Sequence, residues 1–275
     1  CITKGGGSPF LPLPARSFHE ATRALHGRLV AHRYLDEQLV SAELGQRLIL
    51  LGAEARHAVI VSRLAPGERI SIGNGAGLVA TGIVVIAEHT RLEVEVEAVE
   101  LSDRAHPAIF LAQALAKGDR DELAVQAATE LGVDGVIPWA AVRSVSRWEG
   151  AKIAKGRDRW MAVVREATKQ SLRAWLPDVL EVATTKQLAQ LSPASHLVVL
   201  DPAAAGSIAE LELDDRDVVV LVGPEGGVAD HELEALIRAG SSAVRLGAEV
   251  LRTSTAGPAA IAILNLRLGR WRAGA

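Results

Sequence analysis

Val218–Leu236 reads VVVLVGPEGGVADHELEAL, and the reading of this stretch decides the class of fold. Val218–Val222 is an unbroken apolar run of strand length, as expected for a strand covered on both faces. Gly223-Pro224-Glu225-Gly226-Gly227 ends it, and Asp230 is the expected N-cap of a helix over Asp230–Ala239. Strand, glycine loop and helix in succession make one unit of a parallel sheet, and such sheets gather ligands at the carboxyl ends of their strands. Glycines let the backbone take positive φ and approach a ligand closely. Free N–H and C=O groups there suit an adenine edge or an amino-acid carboxylate. A bare strand-to-helix turn needs no ligand, but three glycines with a Pro and a Glu in five residues favour one.

Working outward, the same alternation fills the chain after His106–Pro107. Ile109–Ala114, Val136–Trp139, Leu197–Leu200 and Ala243–Leu246 read as buried strands. Asp119–Leu131, with Leu123, Ala127 and Leu131 on one face, Asp158–Ser171 and Thr255–Leu268 read as helices. Val244–Leu264 (VRLGAEVLRTSTAGPAAIAIL) repeats the strand–loop–helix unit. Its small residues allow close helix packing, with Pro258 expected in the first turn. Before His106 the signals are those of a small, mostly antiparallel barrel or sandwich. Gln46–Leu51, Glu68–Ile72, Leu78–Ile86 and Arg91–Leu101 are its strands, and Ala53–Arg63 a short helix. In Arg91–Leu101, Leu92, Val94, Val96 and Ala98 are expected to face one way and Glu93, Glu95 and Glu97 the other. The fold class is therefore α/β, with a small β domain in front.

Composition narrows the function classes. Of 275 residues 49% are hydrophobic and 23% charged, a globular balance, and no apolar run is long enough to span a bilayer as a helix. The single cysteine, Cys1, excludes a disulfide framework, and no histidine spacing builds a metal site. A leading Cys fits a processed lipoprotein, but an added or upstream segment is the plainer reading. Residues 1–29 are accordingly expected to be a disordered or non-native extension, with the native chain starting near Val30. Gly73-Asn74-Gly75-Ala76-Gly77 imitates a nucleotide-binding glycine loop but is followed by a strand, so it reads as a hairpin turn. Ser195-His196 lacks the context of a hydrolase nucleophile.

Charge is uneven. The net value is −3, yet Arg143–Arg173 carries nine Lys or Arg against three acids, while Asp201–Val250 carries eleven acids against three Arg. One basic face for phosphates is one account, and a solvated helix face is the other. Trp148, Trp160 and Trp175 lie in the basic stretch. Core burial is the first reading for each, and base stacking the second.

Four segments together resemble the bacterial 16S ribosomal RNA uracil-1498 N3-methyltransferases, a SPOUT family. They are the GPEGG loop, the LG…LRT loop at Leu246-Gly247 and Leu251-Arg252-Thr253, the Gln113–Asp119 and Thr129–Asp134 stretch with Arg143, and Glu166–Arg173. Glu54-Ala55-Arg56-His57, Arg63 and Pro66-Gly67-Glu68 add an N-terminal landmark, and the likeness runs from about Val30 to Trp271. It implies a PUA-like RNA-binding barrel over residues 30–104 and a methyltransferase domain with a C-terminal trefoil knot over residues 105–275. It further implies S-adenosylmethionine as methyl donor, the small (30S) ribosomal subunit as substrate, a homodimer, and a cytoplasmic enzyme that needs no metal or membrane.

On the same resemblance the donor pocket takes Leu200, Leu221, Val222, Gly223, Pro224, Glu225, Gly226 and Gly227, then Leu246, Gly247, Leu251, Arg252, Thr255 and Ala256. Arg252 and Glu225 are the candidate catalytic residues. Arg56, His57, Arg63, Arg143, Lys169 and Arg173 are the candidate RNA contacts. The family commonly carries Glu where Ser254 stands, so any carboxylate role falls elsewhere, with Glu225 as candidate. A SPOUT enzyme for transfer RNA or another ribosomal position, and a non-catalytic assembly factor, are the alternatives. The last predicts no affinity for the donor.

Overall fold

The structure, a computed structural model, describes residues 32–271. The expected extension over residues 1–29 and the start at Val30 lie outside the described residues. The chain forms a five-stranded and a seven-stranded sheet.

The first sheet contains β1 (Arg33–Leu35), β2 (Arg47–Leu51), β3 (Arg69–Gly73), β4 (Leu78–Glu88) and β5 (Arg91–Leu101), in the order β1-β3-β4-β5-β2. β1 runs parallel to β3 and every other pair is antiparallel. Between β2 and β3, α1 (Gly52–Arg56) continues into one π-helical turn, His57–Val61. Asn74–Gly77 joins β3 to β4 as a hairpin turn. The Asn74 side-chain oxygen accepts from the Ala76 and Leu78 amides at 2.8 and 3.1 Å, the local bonding that makes Asn a turn residue.

The alternation expected in β5 holds from Leu92 to Val96 and then changes phase. Gly82 pairs with Val96 and Thr81 with Ala98, which leaves Glu97 without a partner in a β-bulge. Beyond it Val99, not Ala98, packs on the core. The bulge also brings backbones close, since a Cβ at Gly82 would stand 2.1 Å from the Glu95 carbonyl oxygen. Glu93, on the opposite side from Leu92 and Val94, is nonetheless buried, with Arg91 donating to it at 2.8 Å and Arg47 approaching to 3.9 Å.

The second sheet is wholly parallel, in the order β10-β12-β9-β11-β6-β7-β8. Its strands are β6 (Ile109–Ala114), β7 (Gly135–Trp139), β8 (Asp178–Val179), β9 (Ser195–Leu200), β10 (Gly206–Ser207), β11 (Asp217–Val222) and β12 (Ser242–Arg245). α2 (Arg120–Glu130), α3 (Ala151–Gln170) and α6 (Thr253–Arg267) cover one face; α4 (Thr185–Ala189) and α5 (Asp230–Arg238) cover the other. Strand alternation divides β11 between them. Val218, Val220 and Val222 join the core under α2, α3 and α6, while Val219 and Leu221 join the core under α4 and α5.

The helices depart from expectation in detail. α2 buries Ala124, Val125 and Ala128; of the expected Leu123–Ala127–Leu131 stripe, Leu131 packs on the core but Leu123 is 56% exposed. Asp119 takes the left-handed conformation at the N-cap of α2. α3 begins seven residues earlier than expected, at Ala151. Ala229 occupies the N-cap of α5, and Asp230 is its first residue, where a carboxylate still complements the helix dipole. α6 begins at Thr253, so Pro258 lies in the second turn rather than the first. Gly257 lets α6 touch the sheet: a Cβ there would meet Leu111 at 2.8 Å and Val222 at 3.3 Å.

The two sheets meet through α3 and the segment after it. Arg165 pairs with Glu37 and donates to the Leu35 carbonyl at 3.2 Å, and Lys169 reaches Glu54 at 3.3 Å. Gly77 and Leu176 exchange backbone bonds with Ala174 and Gly75 across the same junction. The Trp175 indole donates to the Ser102 carbonyl at 2.9 Å.

Candidate functional site

β9, β11 and β12 end side by side, and the loops that leave them enclose a cavity of about 680 Å³. That size belongs to small-molecule sites. Leu200, Val222, Val244 and Leu246 supply apolar wall, and Gly223, Pro224, Glu225 and Gly227 supply the loop after β11. Gly247 follows β12, while Leu251, Arg252 and Ala256 come from the start of α6 and the loop before it.

The loop after β11 has this shape for local reasons. The Gly227 amide donates to the Pro224 carbonyl at 2.8 Å, and Gly227 takes φ +72°, a turn that disfavours a side chain. A Cβ at Gly223 would sit 2.9 Å from the Val228 side chain and 3.1 Å from its amide nitrogen. The Arg143 guanidinium then pins the loop from outside, donating to the Gly226 and Val228 carbonyls at 3.3 and 3.0 Å. Glu232 is buried at the base of the loop and accepts from the Val142 and Ala229 amides.

Three segments distant in sequence share one hydrogen-bond relay beneath the cavity. Gln113, fully buried near the end of β6, donates to the Thr253 hydroxyl at 2.9 Å. The Thr253 hydroxyl donates to the Gly223 carbonyl at 2.8 Å. Thr253 itself lines the cavity, so the relay locks the first residue of α6 to the loop after β11.

Charged groups stand around the opening. Arg120, at the start of α2, pairs with Glu225 at 3.0 Å, and Arg143 pairs with Asp230 at 3.3 Å. Among the described residues, Arg252 has no hydrogen bond or ion pair from its side chain, and it is exposed. Ser254 is half-buried in the first turn of α6.

Most sequence-expected pocket residues meet at this cavity, but three do not line it. Leu221 points to the α4–α5 face by strand alternation. Gly226 turns outward against Arg143, and Thr255 lies exposed on the first turn of α6. Sequence reasoning missed Arg120 and the Asp201-Pro202-Ala203 turn after β9 as wall. The turn was signalled by its position after a strand of the same sheet; Arg120 carried no local signal.

The RNA candidates divide. Arg56 is exposed on α1, His57 is half-buried just after it and edge-on to Tyr34 at 6.3 Å, and Arg63 is exposed. Arg143 lines the cavity. Lys169 and Arg173 are corrected by burial. Lys169 is 6% exposed between Glu54 and Glu166. Arg173 donates to the Thr129 carbonyl at 2.8 Å beside Asp134, and burial lowers its guanidinium pKa to about 10. Both cations hold the fold together and are turned away from solvent. Trp160 is buried, and Trp148 packs edge-on against it at 5.4 Å. No helix among the described residues is long and apolar enough to cross a membrane, and none of them form a group of three or more His, Cys, Asp or Glu placed to hold a metal.

The parallel sheet and its loop-walled cavity define a class, for the family described as RNA methyltransferase domain matches residues 104–265. Over 239 residues the chain is 38% identical to the ribosomal RNA small subunit methyltransferase E of Mycobacterium bovis, covering 85% of this chain and 91% of that one. To the protein of the same name from Bacillus subtilis it is 30% identical over 217 residues, covering 75% of this chain and 85% of the other. A crystal structure of a ribosomal RNA small subunit methyltransferase E from Neisseria gonorrhoeae, bound to S-adenosyl methionine, matches with a TM-score of 0.77 and 29% identity. The match covers 86% of this chain and 97% of that one. The chain belongs to the ribosomal RNA small subunit methyltransferase E family.

Proposed function

We propose that this protein transfers a methyl group from S-adenosylmethionine to N3 of a uracil in 16S ribosomal RNA, at the position numbered 1498. The observation that carries this reading is the cavity at the ends of β9, β11 and β12, in a chain whose relative was crystallised with that donor. The residues present fit the donor. Leu200, Val222 and Leu246 offer apolar wall to an adenine, and the loop after β11 is kept free of side chains at Gly223 and Gly227, where a backbone can approach a ligand.

When bound, the donor supplies an electrophilic methyl carbon on its sulfonium, so the protein's work is placement and charge control. N3 must lose its proton to become a nucleophile. Glu225, on the cavity wall with Arg120 holding its carboxylate, is the proposed acceptor. Arg252, unpaired at the opening, is proposed to stabilise the negative charge that spreads to the ring oxygens. N3 lies on the pairing edge, so the base enters the site unpaired or flipped out.

The finer architecture is proposed on the family resemblance. Residues 30–104 form a PUA-like RNA-binding domain and residues 105–275 a SPOUT domain, a division supported by the sheets, which use residues 33–101 and 109–245. The C-terminal helix passes through a loop as a trefoil knot, and two copies of the chain act together on the small subunit in the cytoplasm.

The test is incubation with labelled donor and small ribosomal subunits from a strain lacking the modification. Label recovered as 3-methyluridine is the expected result. Donor binding without label in that RNA would move the substrate elsewhere, and no donor binding would remove the enzyme reading.

A further inference from the structure

The basic run from Arg143 to Arg173 splits in two when each cation is traced to its partners. Every Lys or Arg from Arg157 onward is engaged. Arg157 pairs with Glu181, Arg159 with Asp119 and Glu122, and Arg165 and Lys169 with Glu54. Arg173 is buried against Thr129 and Asp134. Arg147, Lys152 and Lys155 have no hydrogen bond or ion pair from their side chains to any described residue, and all three are exposed.

These three are held together by packing. Trp148 lies against the first turns of α3, where a Cβ at Gly156 would come within 2.3 Å of its ring, and it meets Trp160 edge-on. The loop Arg143–Gly150 is thereby fastened down beside Lys155, the neighbour of Gly156. Lys152 and Lys155, three residues apart on α3, share one side of it. At the other end of this loop stands Arg143, which lines the cavity. The only acid between Arg143 and Lys155 is Glu149.

We infer that Arg147, Lys152 and Lys155 form a track for the RNA phosphate backbone that leads to the cavity at Arg143. The inference rests on the methyltransferase reading above and names its RNA-facing surface. Cations without protein partners keep their full charge for phosphates, whereas those already paired would have to give up an acid first. Trp148 and Gly156 fix the spacing, so the track is preformed.

The experiment compares the protein with a triple variant, Arg147→Gln, Lys152→Gln and Lys155→Gln, and with a control of equal charge loss, Lys186→Gln, Arg216→Gln and Arg238→Gln. Affinity for a fluorescein-labelled RNA hairpin with unpaired loop uridines is measured across a potassium chloride series. The track variant is expected to bind about tenfold more weakly, with a log–log salt slope shallower by about 2. Its KM for small subunits should rise with kcat near wild type, and its affinity for S-adenosylhomocysteine should not change. A track variant that matches the control in slope and KM overturns the proposal, as does one that loses adenosylhomocysteine binding with its fold intact. Hairpin binding that falls as expected, in a protein that leaves ribosomal RNA unmethylated, would sink the assigned reaction and keep this surface.

Discussion

At the scale of single residues, the site depends on a few atoms with no room to move. Gly223 is one. Replacing it by Ala puts a Cβ 2.9 Å from Val228 inside the loop that walls the cavity. Gly223→Ala should weaken adenosylhomocysteine binding by at least tenfold, read by calorimetry, while far-ultraviolet circular dichroism stays native. Glu225 is the second. Glu225→Gln keeps the shape and one acceptor oxygen but cannot take a proton, so kcat should fall on the order of 100-fold with donor affinity retained. Full turnover in that variant would remove Glu225 as base and leave Arg120–Glu225 as a contact that only shapes the wall. The glycines and Glu225 were legible from their spacing in one short loop. Gln113 and Thr253 were not read as a pair, because a bond between residues so far apart in sequence leaves no periodic trace in either segment.

At the scale of elements, nine strands were readable to within two residues, since period-2 burial and continuous apolar runs are set by each strand's own neighbours, while β1, β8 and β10, two or three residues each, are too short to leave a pattern. What failed was phase. The bulge at Glu97 shifts Val99 inward, and α2 packs with Leu123 facing out. The bulge is a single-residue event in the backbone that apolar patterning does not encode. The contact between α6 and the sheet was foreshadowed by its small residues, and it gives a sharp prediction. Gly257→Val would drive a branched side chain into Leu111 and Val222, costing about 1–3 kcal/mol and displacing Thr253 from Gly223. Thermal unfolding should report the first effect and donor titration the second. A variant as stable and as tight as wild type would mean that α6 can slide without harm.

Across the whole molecule, the basic helix turned out to serve two masters. Its C-terminal half binds the small sheet through Arg165 and Lys169, and its first turns show Lys152 and Lys155 to solvent. Net charge along the sequence could not make this division, because pairing partners such as Glu37 and Glu54 lie more than a hundred residues upstream. A ligand that binds only the folded chain must stabilise it, so adenosylhomocysteine at 100 times its Kd should add about 2.7 kcal/mol to unfolding, seen as a rise in Tm. An unchanged Tm at saturating ligand would contradict a preformed cavity. The relay joining Gln113, Gly223 and Thr253 also has a consequence in time. During synthesis, β6 and β11 leave the ribosome well before Thr253 does, and until α6 docks, the Gly223 carbonyl lacks its partner. A nascent or truncated chain ending before Gly257 would have every strand and no finished cavity, so the donor can select only chains whose last helix is in place.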